Sequence, residues 1–289
     1  MYYQEFLPSK PLQPYIQLFG IIETQSASAE LIQEITPPHL AKGLVFHYFE
    51  DSNISVSKKS YQGKLPSAYF MLDNQERLVV SHQKKIGSAA IIFKPGKFRY
   101  FFPFDTAPHI DHYLSLTDYN EPMLVELHEK LQLATSAVQR VQLLDDFCLK
   151  MLAKITLPKS SYSELLIQNM FADTHWKLHQ SAAELQLSER HLRRVFKREI
   201  GVSPKDYHKV LRFSKAMARI NTKQFTTLTQ LSYSLGYSEQ KHFILDFKEF
   251  MGLTPSQYKH SISPLTAATT WREEVEHQMK QSYDYDVLK

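Results

Sequence analysis

The last third of the chain states one pattern twice. Leu185–Tyr207 reads LQLSERHLRRVFKREIGVSPKDY, and Leu235–Tyr258 reads LGYSEQKHFILDFKEFMGLTPSQY. Phe196 and Phe247, Gly201 and Gly252, Pro204 and Pro255, and Tyr207 and Tyr258 each stand 51 positions apart. Ser188 and Ser238 stand 50 apart, a slip of one residue at the start. Two copies of one supersecondary unit account for such an offset economically.

Each copy reads as a helix-turn-helix. A short helix ends at Leu185 or Leu235, and a tight turn follows; Gly236 suits that turn, where the first copy has Gln186. Ser188 and Ser238 are expected to N-cap the next helix by accepting from its free N–H groups. Thr227 with Gln230 forms a capping-box pattern for the short helix of the second copy, and the first copy has no equally clear cap. Leu192, Val195, Phe196 and Ile200 recur at helical spacing and make a buried stripe. Gly201 and Gly252 sit where a helix end takes a left-handed residue, and Pro204 and Pro255 start the next element.

The face opposite Leu192 and Phe196 carries Arg190, Arg193, Arg194 and Lys197. Arginine suits a bidentate fork on guanine in the major groove, and lysine adds phosphate attraction. A helix presenting such side chains from its N-terminal half has the geometry of a recognition helix. Charge agrees. Residues 171–260 hold fifteen Lys and Arg against eight Asp and Glu, a net +7, in a chain whose total is +4. A basic excess confined to one third favours a polyanion as the partner of that third.

The stretch from about Glu164 to His260 resembles the AraC-type family of bacterial transcription regulators. The residues carrying the resemblance are Ser188, Leu192, Arg194, Phe196, Gly201 and Pro204, then Leu235, Gly236, Tyr237 and Ser238 followed by Phe243, Phe247 and Gly252. It implies two helix-turn-helix units joined by a rigid helix, here from about Pro204 to Ile220, with helices 189–200 and 239–251 in successive major grooves. The family's base-reading positions fall on Arg190, Arg193 and Arg194 in the first unit, and on Gln240, Lys241 and Leu245 in the second. Ile244, Leu245 and Asp246 depart from the family's commoner small-Arg-small run, so Ile244 or Leu245 would meet thymine methyls or the second helix would contribute less. Phosphate contacts are expected from Lys197, Lys205, Arg212 and Lys248. The resemblance also implies double-stranded DNA as partner, RNA polymerase as a second partner if the chain is an activator, a cytoplasmic location, a homodimer as one assembly, and a small-molecule effector in an N-terminal cupin-like barrel.

The first 115 residues fit such a module. Leu44–Phe49, Ala68–Leu72, Leu78–Val80, Ala89–Phe93 and Phe98–Phe104 read as strands, with a turn at Phe93-Lys94-Pro95-Gly96. Short strands at this spacing predict an antiparallel barrel or sandwich. Helices follow at about 121–134 and 137–155, their apolar stripes suited to packing on the barrel or to pairing with a second subunit. The fold class is therefore α+β: residues 1–115 a β-rich sensor or dimerisation barrel, 116–160 a helical pair and linker, 161–262 an all-α double helix-turn-helix, and 263–289 a polar tail.

Composition excludes several alternatives. The chain's eight glycines come no closer than Gly87 and Gly96, too far apart for the Rossmann, P-loop, kinase or G-x-S-x-G loops. No catalytic residues or cofactor are expected. The single cysteine, Cys148, rules out an internal disulfide and reads as a small buried apolar residue. No apolar run is long enough to cross a bilayer, and the N-terminus has no signal-peptide core. His109, Asp111 and His112, approached by His47 and His82, raise a second reading: a metal-binding or enzymatic barrel fused to DNA-binding helices. The bland alternative for these histidines is loop and surface positions. The aromatics Phe46, Tyr48, Phe70, Phe93, Tyr100, Phe102 and Phe104 read as core, or in part as the lining of a ligand cavity. Non-specific DNA packaging is a third reading, and it predicts no preferred site.

Overall fold

The computed structural model describes residues 2–23, 32–49, 54–58, 61–82, 86–110, 112–119, 121–156 and 161–258. Asp111 and the tail expected over 263–289 lie outside them. The strands are β1 (Tyr2–Phe6), β2 (Ile16–Glu23), β3 (Ile32–Thr36), β4 (Lys42–His47), β5 (Ile54–Ser57), β6 (Gln62–Lys64), β7 (Ala68–Met71), β8 (Leu78–His82), β9 (Gly87–Phe93) and β10 (Leu114–Ser115). They form two antiparallel sheets, a six-stranded one in the order β1-β2-β9-β4-β7-β10 and a four-stranded one in the order β3-β8-β5-β6.

The six-stranded sheet is covered on both faces, which explains why its central strands read as unbroken apolar runs rather than alternating ones. Successive side chains of a strand point to opposite faces. Phe19, Ile21, Leu44, Phe46, Ala89 and Ile91 turn to one side, into a core shared with the helices. Their neighbours Leu18, Ile22, Val45, His47, Ala90 and Ile92 turn to the other, facing the smaller sheet. In the smaller sheet only one face is covered. Ile54 and Val56 are buried while Ser55 and Ser57 are exposed, the alternation of a half-solvated strand.

The helices are α1 (Phe98–Phe101), α2 (Pro122–Leu133), α3 (Ala137–Lys154), α4 (Tyr162–Ala172), α5 (Leu178–Glu184), α6 (Glu189–Ile200), α7 (Pro204–Asn221), α8 (Leu228–Ser234) and α9 (Gln240–Met251). The stripes of α2 and α3 are spent within the chain: Leu124, Leu127, Leu131, Leu144, Phe147 and Cys148 all join the sheet core. Two further cores lie in the C-terminal third. Leu192, Phe196 and Ile200 of α6 pack with α4 and with Tyr207 and Leu211 of α7. Phe243 and Phe247 of α9 pack with Val210, Phe213 and Met217 of the same α7. One 18-residue helix is thus a wall of both units. Among the described residues no helix is long and apolar enough to cross a membrane.

The strand expected over Phe98–Phe104 is instead α1 and an extended exit. After the turn at Gly96 (φ +79°), Phe98 and Phe101 lie on α1 and Phe102 at its C-cap, all buried. An aromatic run leaves the period ambiguous, and here packing chooses the helix. The same aromatics form core: Phe46, Tyr48, Phe70, Phe93, Tyr100 and Phe102 are buried in the sheet–helix cluster and Phe104 packs against it.

Candidate functional site

The long second helices of the two units, α6 and α9, stop where the sequence predicts, and α6 also starts there. The Ser188 hydroxyl accepts from the His191 N–H at 3.2 Å, an N-cap, and α6 ends at Gly201 with φ +97°. The preceding turn holds Gln186 at φ +55°, and Gly236 holds the equivalent place at φ +77°. Thr227 accepts from the Gln230 N–H at 3.1 Å and caps α8, and α9 ends at Gly252 with φ +76°. Ser238 does not cap α9. The cap position is Glu239, which makes no side-chain cap bond. The reason is the one-residue slip of the repeat: 51 positions after Ser188 comes Glu239, not Ser238.

One groove is lined by residues of both units, and of the predicted base-reading residues Arg193 is the one that borders it. A groove of about 1340 Å³ is lined by Glu189 and Arg193 from the start of α6 and by Ser238, His242 and Asp246 around the start of α9. Its floor includes Pro204, Lys205 and Lys209 of α7. Arg190, Arg193, Arg194 and Lys197 are exposed on α6, as are Lys205 on α7 and Lys241, Leu245 and Lys248 on α9; Gln240 and Ile244 are half-buried. Arg193 is ion-paired with Glu189 one turn back. Arg212, expected as a phosphate ligand, lines the groove and is also engaged within the second unit. Its guanidinium lies 4.1 Å from the centre of the Tyr237 ring and donates to the Gly236 carbonyl at 3.4 Å, so it braces the second turn from inside.

The C-terminal ends of α6 and α9 are held by the N-terminal half of the chain. Lys42 donates to the Ile200 carbonyl, the last of α6, while pairing with Asp73 at 3.3 Å. Thr106 donates to the same carbonyl at 3.4 Å. Arg77 donates to the Met251 carbonyl, the last of α9, at 3.0 Å. A cation at a helix C-terminus satisfies an orphan carbonyl and opposes the macrodipole. Leu40 packs against both C-terminal cores between these two holds. Arg99 pairs with Glu199 at 2.9 Å, and buried Glu164 of α4 accepts from Lys97 at 2.7 Å and from the Tyr100 hydroxyl. Sequence reasoning missed this interface. Its one visible signal is Lys42, a charge at the head of an otherwise apolar strand.

A second feature lies between the two sheets, a cavity of about 110 Å³. Its walls are chiefly aliphatic, with Thr36, His39, His47, Ser88 and three tyrosines (Tyr3, Tyr69, Tyr113) as the polar exceptions. None of the aromatics first read as cavity residues lines it. His47 shares a hydrogen bond with Ser88 through Nδ1 at 2.7 Å. The Thr36 hydroxyl, His39 Nδ1 and His47 Nε2 are buried without a hydrogen-bond partner among the described residues. Burial lowers the pKa of both imidazoles to about 4, so both are neutral near pH 7. His109 lies in a short 3-10 turn against Phe104, and His112 lies against Tyr61, apart from this pair. Among the described residues no three His, Cys, Asp or Glu converge on a point that could hold a metal ion.

Comparison with known proteins assigns the two halves separately. Residues 181–261 match the family model described as a helix-turn-helix domain, and residues 4–117 match a domain of unknown function, DUF6597. An uncharacterized HTH-type transcriptional regulator of Haemophilus influenzae is 31% identical over 88 residues, which span 30% of this chain and 29% of that one. Among solved structures, ToxT from Vibrio cholerae O395 is similar at 15% identity and a TM-score of 0.46, covering 84% of this chain and 96% of ToxT. ToxT has also been solved with an unsaturated fatty acid bound. The C-terminal domain of AraT, a response regulator from Geobacillus stearothermophilus, is 27% identical with a TM-score of 0.32, over 37% of this chain and 92% of that domain.

Proposed function

We propose, from the premise that the C-terminal third is an AraC-type helix-turn-helix domain, that this transcription regulator reads one DNA sequence through α6 and α9 together. The observation carrying the reading is the shared groove, bordered by Arg193 of α6 and by His242 of α9. The 18 residues of α7 span about 27 Å, of the order of the 34 Å turn of B-DNA, so the two units suit neighbouring major-groove segments on one face. Arg190, Arg193 and Arg194 read bases from the first helix, and Gln240, Lys241, Ile244 and Leu245 from the second. Lys197, Lys205 and Lys248 take phosphates and set register. Arg212, being committed to Tyr237, supports the reader rather than the backbone contact.

The N-terminal half serves as the input. Its cavity has the enclosed, mostly apolar form of a small-molecule site with a few convergent polar groups. The test is selection of bound duplexes from a random pool, followed by footprinting of the winner with the full chain. The expected result is one protected site spanning two adjacent major-groove segments, with affinity falling steeply as salt rises. Protection of one segment only, or equal binding to all duplexes, contradicts it.

A further inference from the structure

We propose that the cavity between the two sheets binds an uncharged, single-ring molecule carrying a hydroxyl or N–H group, of the size of phenol or benzyl alcohol. The inference rests on the reading of the N-terminal half as the input and names the chemical class of its ligand.

Three observations carry it. The first is size: at about 110 Å³ the space lies below the roughly 150 Å³ of a dry engineered cavity that takes benzene, so one compact ring with slight adjustment of the walls fills it. The second is charge. No Asp, Glu, Lys or Arg lines the cavity among the described residues, so a carboxylate or phosphate would enter without a counter-charge and leave its hydration behind. The third is the set of orphaned polar atoms. Thr36, His39 and His47 line the same space, each at least nine-tenths buried, and Thr36 Oγ1, His39 Nδ1 and His47 Nε2 lack a partner among the described residues. Buried polar groups are normally bonded, and leaving one unmet is costly. His39 bonds the Ala41 backbone, which leaves Nδ1 of the neutral ring as an acceptor, so the ligand must bring a donor.

The same chain segments that form this wall also form the holds on the reading helices. Residues 36–42 run from Thr36 and His39 at the cavity to Lys42 at the end of α6. Residues 71–78 run from Met71 at the cavity through Arg77 at the end of α9 and back to Leu78. A ligand that engages Thr36 and His39 therefore acts on the segment that seats α6 and, through the paired backbones of His39 and Asn74, on the segment that seats α9.

The test is calorimetric titration of the full chain with phenol, benzyl alcohol, toluene, benzoate and palmitoleate at pH 7.5. The alcohol and phenol are expected to bind at least tenfold more tightly than toluene or benzoate. Thr36→Val, close to isosteric, should weaken phenol about tenfold while leaving toluene unchanged, and Ala90→Leu should fill the space and abolish binding of both. Benzoate or palmitoleate binding as tightly as phenol overturns the assignment, as does phenol affinity that neither substitution alters or the absence of any neutral-ring binding. Affinity for the selected duplex, measured on the same preparation, tests the regulator reading separately: intact DNA binding with no ring binding removes the ligand and keeps the reader.

Discussion

At the scale of the residue, the two reading helices are unequal. Arg194 is exposed on α6, where the proposed reading has it fork onto a guanine edge, whereas Leu245 is 53% exposed on α9 and offers only apolar contact. Arg194→Ala is expected to weaken binding to the selected site by about 1–3 kcal/mol. Leu245→Ala should cost well under half of that, and because Leu245 supports no core the fold should be unaffected. Equal large losses in a titration would remove the asymmetry. Three histidines make a prediction of another kind. Burial holds His39 and His47 to about 4 and His208, packed on Trp176 and further repelled by Arg212 and Lys215, to about 3, against an ordinary 6.5. The unfolded chain takes up these protons below about pH 6.5, and the folded chain does not until near pH 4, or near pH 3 at His208. The stabilisation is therefore complete above pH 6.5 and is lost as pH falls, by about 1.4 kcal/mol per pH unit for each histidine. Urea midpoints at pH 7.5, 6 and 5 check this, and His208→Leu should make the decline shallower by about one proton's worth. An unchanged slope would show that His208 takes up its proton as readily folded as unfolded.

At the scale of the element, the repeat foretells more than any single motif. Ser188→Ala should destabilise the chain by about 1 kcal/mol, since it removes the cap of α6, while Ser238→Ala should change almost nothing, since α9 begins at Glu239 without a side-chain cap. Thermal denaturation of the pair distinguishes the two outcomes. The C-terminal helices were legible because caps, glycine stops and a 3.6-residue stripe agree with one another along each. The sheets were legible only in part. Leu44–Phe49 and Ala89–Phe93 fall on β4 and β9, and the turn at Gly96 is where it was expected. β2 went unread although IQLFGIIE is as apolar as β9, and β5 went unread although ISVS alternates cleanly. Phe98–Phe104 misled because three aromatics at i, i+3 and i+4 suit a helical turn as well as a strand. The cavity was illegible for a different reason. Thr36, His39 and His47 are unremarkable in the chain, and only antiparallel pairing of β3 with β8 and of β4 with β9 brings them around one space.

At the scale of the whole molecule, the glycines that end the two reading helices do a second job. A Cβ built on Gly201 would lie 2.7 Å from the Thr106 hydroxyl, and one built on Gly252 would lie 2.1 Å from Arg77 Nη1. The absent side chains leave the last carbonyls of α6 and α9 open to donors from the sheet half. Through these two holds the sheet half joins α7 in setting how α6 and α9 sit relative to one another. Insertion of one base pair between the two recognised segments turns one against the other by roughly a tenth of a revolution. The intact chain should reject such a lengthened site. With Lys42→Met and Arg77→Met together, the same lengthened site should be accepted nearly as well as the original, read out as a ratio of the two affinities. In that case the permitted distance between half-sites in a genome is a property written into the N-terminal half of this protein, and exchanging that half for another would redirect the proposed reader to differently spaced sites with its bases of preference intact.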